Sequence, residues 1–144
     1  MYANVETAAK EICQLFVDAW KENGVSLPAA FPNSKFKLSD MNASSMWARW
    51  SLQHAIRDQA TLANVDGKRR WRSSGLVTVE TYTAIGKGVI APYQAAQKVV
   101  NAYEGQRTPG DAWFRNVRMI EIGETSELWF RIDVYADFEY DILA

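Results

Sequence analysis

The sequence contains one cysteine and one histidine in 144 residues. A lone thiol, Cys13, cannot close an intrachain disulfide, which excludes a disulfide-scaffolded secreted domain. With His54 the only imidazole, most metal-binding and nucleophile–base schemes are short of parts. An excess of charge is missing too, because 16 Lys and Arg stand against 17 Asp and Glu, a net charge of −1. Whole-molecule attraction to nucleic acid or to an anionic membrane is therefore excluded, although local patches can still act. No apolar run approaches the roughly 18–20 residues that a membrane helix needs. The first ten residues lack the basic-then-apolar pattern of a secretory leader. Together these absences lead us to expect a soluble intracellular product.

What the sequence does have is a length suited to one domain and a hydrophobic share of 48%, with six each of Trp, Tyr and Phe. A chain of this size buries about two-thirds of the surface it exposes when unfolded, enough to fold without a metal or a disulfide. Residues 5–22 repeat apolar side chains at spacings of three and four (Val5, Ala8, Ile12, Phe16, Trp20), which predicts a helix. Asn4 is its N-cap candidate, and Asn23-Gly24 its stop. Residues 25–45, with Pro28, Pro32 and a run of Ser, Asn and Asp, read as a long connection. A short extended stretch is expected within it, around Phe31, Phe36 and Leu38. Residues 46–55 alternate polar and apolar and predict a half-buried strand, with a helix over 52–62 as the alternative, and Asp66-Gly67 supplies a turn.

A second strand is expected over 71–85, where Leu76, Val77, Val79 and Tyr82 suit a pleated surface. Gly86-Lys87-Gly88 then leads into a helix over 89–103, which tolerates Pro92 in its first turn. Two further strands, around 114–122 and 128–136, flank a hairpin turn at 123–126. The expected architecture is a single α+β domain over 1–144 in the order α–β–β–α–β–β. It has a mixed or antiparallel sheet with two main helices on one face, and a 25–45 linker that orders on assembly.

No catalytic, cofactor-binding or metal-ligating set emerges. His54 has no nucleophile motif beside it, Cys13 adjoins an apolar stripe rather than a cation cluster, and Gly86-Lys87-Gly88 lacks a full phosphate-loop pattern. The most polarised segment is Lys68-Arg69-Arg70-Trp71-Arg72, four cations in five residues. It suits three roles: a solvated hairpin, a grip on phosphates with Trp71 stacking on a base, or one half of a contact between copies. The third role has a counterpart at the other end of the chain. From residue 121 onward, seven acids, including Asp133, Asp137, Glu139 and Asp141, face a single base, Arg131. Complementary ends of this kind favour head-to-tail association, which closes into a ring where the rotation permits.

The layout as a whole resembles the tail terminator proteins of long-tailed bacteriophages, a family that includes the minor tail protein U of lambda-like phages. The resemblance spans nearly the whole chain and rests on element order and loose motifs. These are the amphipathic first helix and the Pro-containing linker, then Trp47-Ala48-Arg49-Trp50 and Gly75-Leu76-Val77-Thr78-Val79 leading to Ile85-Gly86-Lys87-Gly88. The second helix ends in Val99-Val100-Asn101-Ala102-Tyr103, and the closing strands contain Val117-Arg118-Met119-Ile120 and Leu128-Trp129-Phe130-Arg131. Two features depart from the pattern. Val89-Ile90-Ala91-Pro92 stands where polar residues are expected, and the basic segment is stronger than the family requires.

The resemblance implies a non-enzymatic structural protein without a cofactor. It would form a homohexameric ring that caps the tail tube, ends tube polymerisation and docks the head-side neck connector. The partners implied are other copies of the chain, the tail tube protein and the connector. Genomic DNA would pass through the lumen without sequence-specific binding. The location implied is the tail–neck region of the virion, reached from the host cytoplasm during assembly. Within such a ring, residues 66–72 are expected to touch a neighbouring subunit, since a strongly cationic lumen would retard DNA. Another head–tail connector or completion protein, and a small nucleic-acid-binding module using residues 66–72, are the alternatives.

Overall fold

The computed structural model describes residues 1–35, 45–61, 67–86 and 88–144. Helix α1 (Val5–Ala19) begins where the sequence places it, with Asn4 Oδ1 accepting a 2.9 Å bond from the Thr7 amide. Its stripe of Ala8, Ile12 and Phe16 is buried. The helix stops short of the expected end. Trp20 caps it, its amide bonding Phe16 O at 2.8 Å and its indole donating to Pro28 O at 2.9 Å. Asn23 and Gly24 form instead the two-residue turn between β1 (Lys21–Glu22) and β2 (Val25–Ser26). Both have positive φ, 52° and 79°, which a tight hairpin turn needs at its two central positions.

The stretch read as a connection is therefore partly strand. After β2 comes β3 (Ala29–Ala30), which pairs in parallel with the start of β4 (Met46–Gln59) at Ala29↔Ala48 and Ala30↔Arg49. The pairing gives backbone groups at this edge partners, and Leu27, Ala29 and Phe31 pack against the core. Phe36 and Leu38, also expected to be extended, lie outside the described residues. The order α–β–β–α–β–β is corrected accordingly, because among the described residues three two-residue strands stand between α1 and the first long strand.

The remaining elements are β5 (Arg70–Ala84), α2 (Ile90–Tyr103), β6 (Trp113–Glu124) and β7 (Trp129–Leu143). They complete an α+β fold whose main sheet has the order β3-β4-β5-β7-β6, antiparallel apart from β3. The last strand in sequence thus lies inside the sheet. Its even-numbered residues from Ile132 to Ile142 are buried, as suits a strand with neighbours on both sides.

Pleating puts Trp50, Val79 and Val134 on one face. There they share a core with Ile12 and Phe16 of α1 and Ala95, Ala96, Val99 and Tyr103 of α2. Tyr103 ties the layers together, donating to Ile12 O at 3.0 Å and accepting from the Trp50 indole at 2.9 Å. The opposite face of the sheet carries the charged residues of β5 and β7. Where β4 shifts register between His54 and Ile56, Gly75 is held close. A Cβ there would lie 2.0 Å from Gln53 O and 2.7 Å from the Phe138 ring.

Candidate functional site

The basic and acidic segments, read from the sequence as complementary surfaces of separate copies, are neighbouring strands of one sheet. The apolar positions of β7 must face the helices, which turns Asp133, Asp137, Glu139 and Asp141 to the other face. The antiparallel register then sets Arg72 directly opposite Asp141. Arg72 grips that carboxylate with both Nε and Nη2, at 2.9 and 3.2 Å, and Arg70 Nε stands 3.4 Å away. Asp141 is buried, and its carboxylate holds the Arg72 guanidinium above its ordinary pKa.

The other three acids also have partners in the same chain. Glu139 contacts Arg115, and Asp137 accepts from Asn116 Nδ2 at 3.1 Å with Arg118 3.5 Å away. Asp133, the most buried at 1% exposure, takes a two-pronged bond from Arg131 at 2.7 and 2.8 Å. Arg131 also reaches Glu80 at 3.0 Å, and these acids, Asp133 foremost, raise its pKa further. Acidic charge that was expected to be offered to another copy is thus largely matched within the chain, by side chains of β5, β6 and β7.

Trp71 does not join Arg70 and Arg72. Alternation turns it to the helix-side face, where it pairs across from Ile142 and lies 5.6 Å from the Arg57 guanidinium. The aromatic ring beside the cations is Trp113, at the start of β6, with Arg72 at 5.3 Å and Arg107 at 5.9 Å from its centroid. Neither Trp113 nor Arg107 was picked out from the sequence. Lys68 and Arg69 are exposed, and Arg69 exchanges two 2.9 Å backbone bonds with Ala144, extending the β5–β7 ladder. Asp66, in the expected turn, lies outside the described residues.

At this end of the sheet Arg70, Arg72, Arg107, Asp111, Trp113 and Asp141 line an open cavity of about 300 Å³. Its rim is braced from below. The Tyr2 hydroxyl donates to Glu11 Oε2 at 2.5 Å and contacts Thr108 Oγ1, and burial raises the Tyr2 pKa. Gly110 lies so close over Tyr2 that a Cβ would sit 2.3 Å from the ring.

The far end of the same sheet has the opposite character. Ile85, Val89, Ile90, Tyr93, Ile122 and Leu128 are exposed, Val89, Ile90 and Leu128 by more than 60%. The bond from the Ile85 amide to Leu128 O (3.0 Å) and the one from the Tyr93 hydroxyl to Glu121 (3.1 Å) hold these segments together. Helix α2 starts here with Val89 at its cap position and no side-chain cap. Gly86 and Gly88, both at positive φ, pass the chain from strand to helix, and Lys87 lies outside the described residues.

His54 and Cys13 are structural in their contacts. The His54 ring stands edge-on to Phe138 and Tyr140, with Nε2 2.5 Å from the Tyr140 hydroxyl, and burial lowers its pKa. Cys13 packs on the core, where burial raises its thiol pKa. Among the described residues, no three His, Cys, Asp or Glu side chains gather as a metal site would need.

No family model and no curated protein matches this chain. Its fold does recur among solved structures. One that carries no functional description is similar over 95% of this chain and 95% of its own, with a TM-score of 0.63 and 16% identity. At that identity the likeness defines the fold, α+β with a five-stranded main sheet and, among the described residues, two helices, and nothing of its use.

Proposed function

We propose that this chain is a structural ring subunit, a tail terminator of a long-tailed bacteriophage. In this role a homohexamer caps the tail tube, stops its growth and presents a docking surface to the head-side neck connector. Genomic DNA passes through the lumen, and the assembled ring resides in the virion. The observation that carries this reading is the apolar end of the sheet. Exposed side chains of Ile85, Val89, Ile90, Ile122 and Leu128 sit on segments tied to one another, a kind of surface that lone soluble domains rarely leave bare. A protein whose work is to be covered, by copies of itself and by the tube, needs such a surface. The mechanism is steric, since one ring face accepts the tube and the other accepts no further tube ring.

Charge reversal at Arg70 would not test this cleanly, because Arg70 contacts Asp141 of its own chain. Ile90→Asp is the better probe, since Ile90 is 65% exposed. Native mass measurement of the unaltered chain should give a hexamer, and Ile90→Asp should give a folded monomer. A dodecamer would point to a connector instead. An unaltered chain that stays monomeric at assembly concentrations overturns the ring reading.

A further inference from the structure

We infer that the cavity lined by Arg70, Arg72, Arg107 and Trp113 is a binding site for a phosphodiester group of a nucleic-acid strand. The inference does not depend on ring formation. Three guanidiniums and the Met1 ammonium line the cavity with two carboxylates, Asp111 and Asp141, a positive excess that an anion would balance. A phosphodiester carries one negative charge. Both oxygens of Asp141 are already engaged, by Arg72 in a fork and by Arg70 at 3.4 Å, so that carboxylate fixes the cations rather than cancelling the site. Arg107 stands 3.8 Å from Asp111 and is two-thirds exposed.

Arg72 and Arg107 both lie near the Trp113 ring, whose π-face orients guanidiniums without using their N–H donors. Donors converging from β5 and from the 107–113 turn suit the tetrahedral oxygens of a phosphate better than the two coplanar oxygens of a carboxylate. A volume of about 300 Å³ has room for a phosphate with an attached sugar. Lys68 and Arg69, exposed one step beyond the cavity, extend the positive track along which a strand would run.

The test is titration of the full chain with a fluorescent single-stranded oligothymidylate at several salt concentrations, for the unaltered protein and for Arg107→Gln, Arg70→Gln and Arg49→Gln. Arg49 lies at the far end of the charged face and serves as the charge-matched control. Loss of either cavity arginine should weaken binding about tenfold and lower the salt slope by about one, with Arg49→Gln unchanged. Inorganic phosphate should compete weakly and shift the Trp113 indole N–H resonance in a nitrogen-15 spectrum. An equal loss for Arg49→Gln would make the effect one of general surface charge, and no binding at low salt would remove the site altogether. Stronger competition by polyglutamate than by polyphosphate of equal charge would assign the cavity to a protein carboxylate. Each of these three outcomes overturns the proposal.

Discussion

The two ends of the sheet are built from the same strands and leave opposite kinds of surface. At one end, where β5 begins and β7 finishes, Arg70, Arg72 and Asp141 bind one another, and the 107–113 turn is pinned through Tyr2. At the other, where β5 finishes and β7 begins, apolar side chains stand in solvent and α2 starts without a side-chain cap. Charge complementarity between two segments is thus no sign of an intermolecular contact until strand order is known. The registers of β5 and β6 against β7 already satisfy much of it inside the chain. Unpaired apolar surface is the better guide to a partner, because none of the described residues covers it.

The contrast holds only if both ends belong to one rigid sheet, and Gly75 is where that is most easily broken. A methyl group there meets a backbone oxygen at 2.0 Å and an aromatic ring at 2.7 Å, and the oxygen cannot swing aside as a side chain does. Gly75→Ala should cost about 3 kcal/mol or more in unfolding free energy, read from the denaturant midpoint. An unchanged midpoint would mean that β4 slides freely past β5. Asp141→Ala tests the charged end alone. It strands two arginines that are partly exposed, so the expected loss is about 2 kcal/mol, below that of a fully buried pair. Ile90→Asp, in the same measurement, should stay within about 0.5 kcal/mol of the unaltered chain. Equal losses at the two positions would erase the distinction between the ends.

Signals that act within a few residues were legible from the sequence. Asn4 caps α1 through the Thr7 amide as expected, and the alternation of β7 marks its buried face. The Asn23-Gly24 pair was misread because positive φ serves a helix end and a hairpin turn equally well. What only the assembled sheet decides was out of reach. The place of β7 between β5 and β6 depends on pairings across α2, and with it goes the meeting of Arg72 and Asp141. The aromatic partner of the cations was sought at Trp71, their neighbour in sequence, whereas alternation turns that ring away and register supplies Trp113. Of the cationic site, the β5 arginines were visible, and the contribution of the 107–113 turn was not.

The smallest effect concerns His54, paired across from Gly75 midway between the two ends. Its ring is packed edge-on against Phe138 at 5.2 Å and Tyr140 at 5.7 Å, and this partial burial disfavours the imidazolium and lowers its pKa below 6.5. The unfolded chain therefore takes up a proton near pH 6.5, while the folded chain holds off until the pH is lower. Over that interval the unfolded state binds more protons, so stability rises with pH. The contribution is complete above pH 6.5 and is lost as pH falls through the folded-state pKa. Carboxylates also begin to titrate near pH 5, so the useful quantity is a difference between two proteins. Urea midpoints at pH 7.5 and pH 5.0 should fall further for the unaltered chain than for His54→Gln, which lacks the only imidazole in the sequence. Equal falls would show that the ring is as well solvated in the sheet as in the unfolded chain. The middle of the molecule would then be looser than the charged end that Tyr2 and Asp141 hold together.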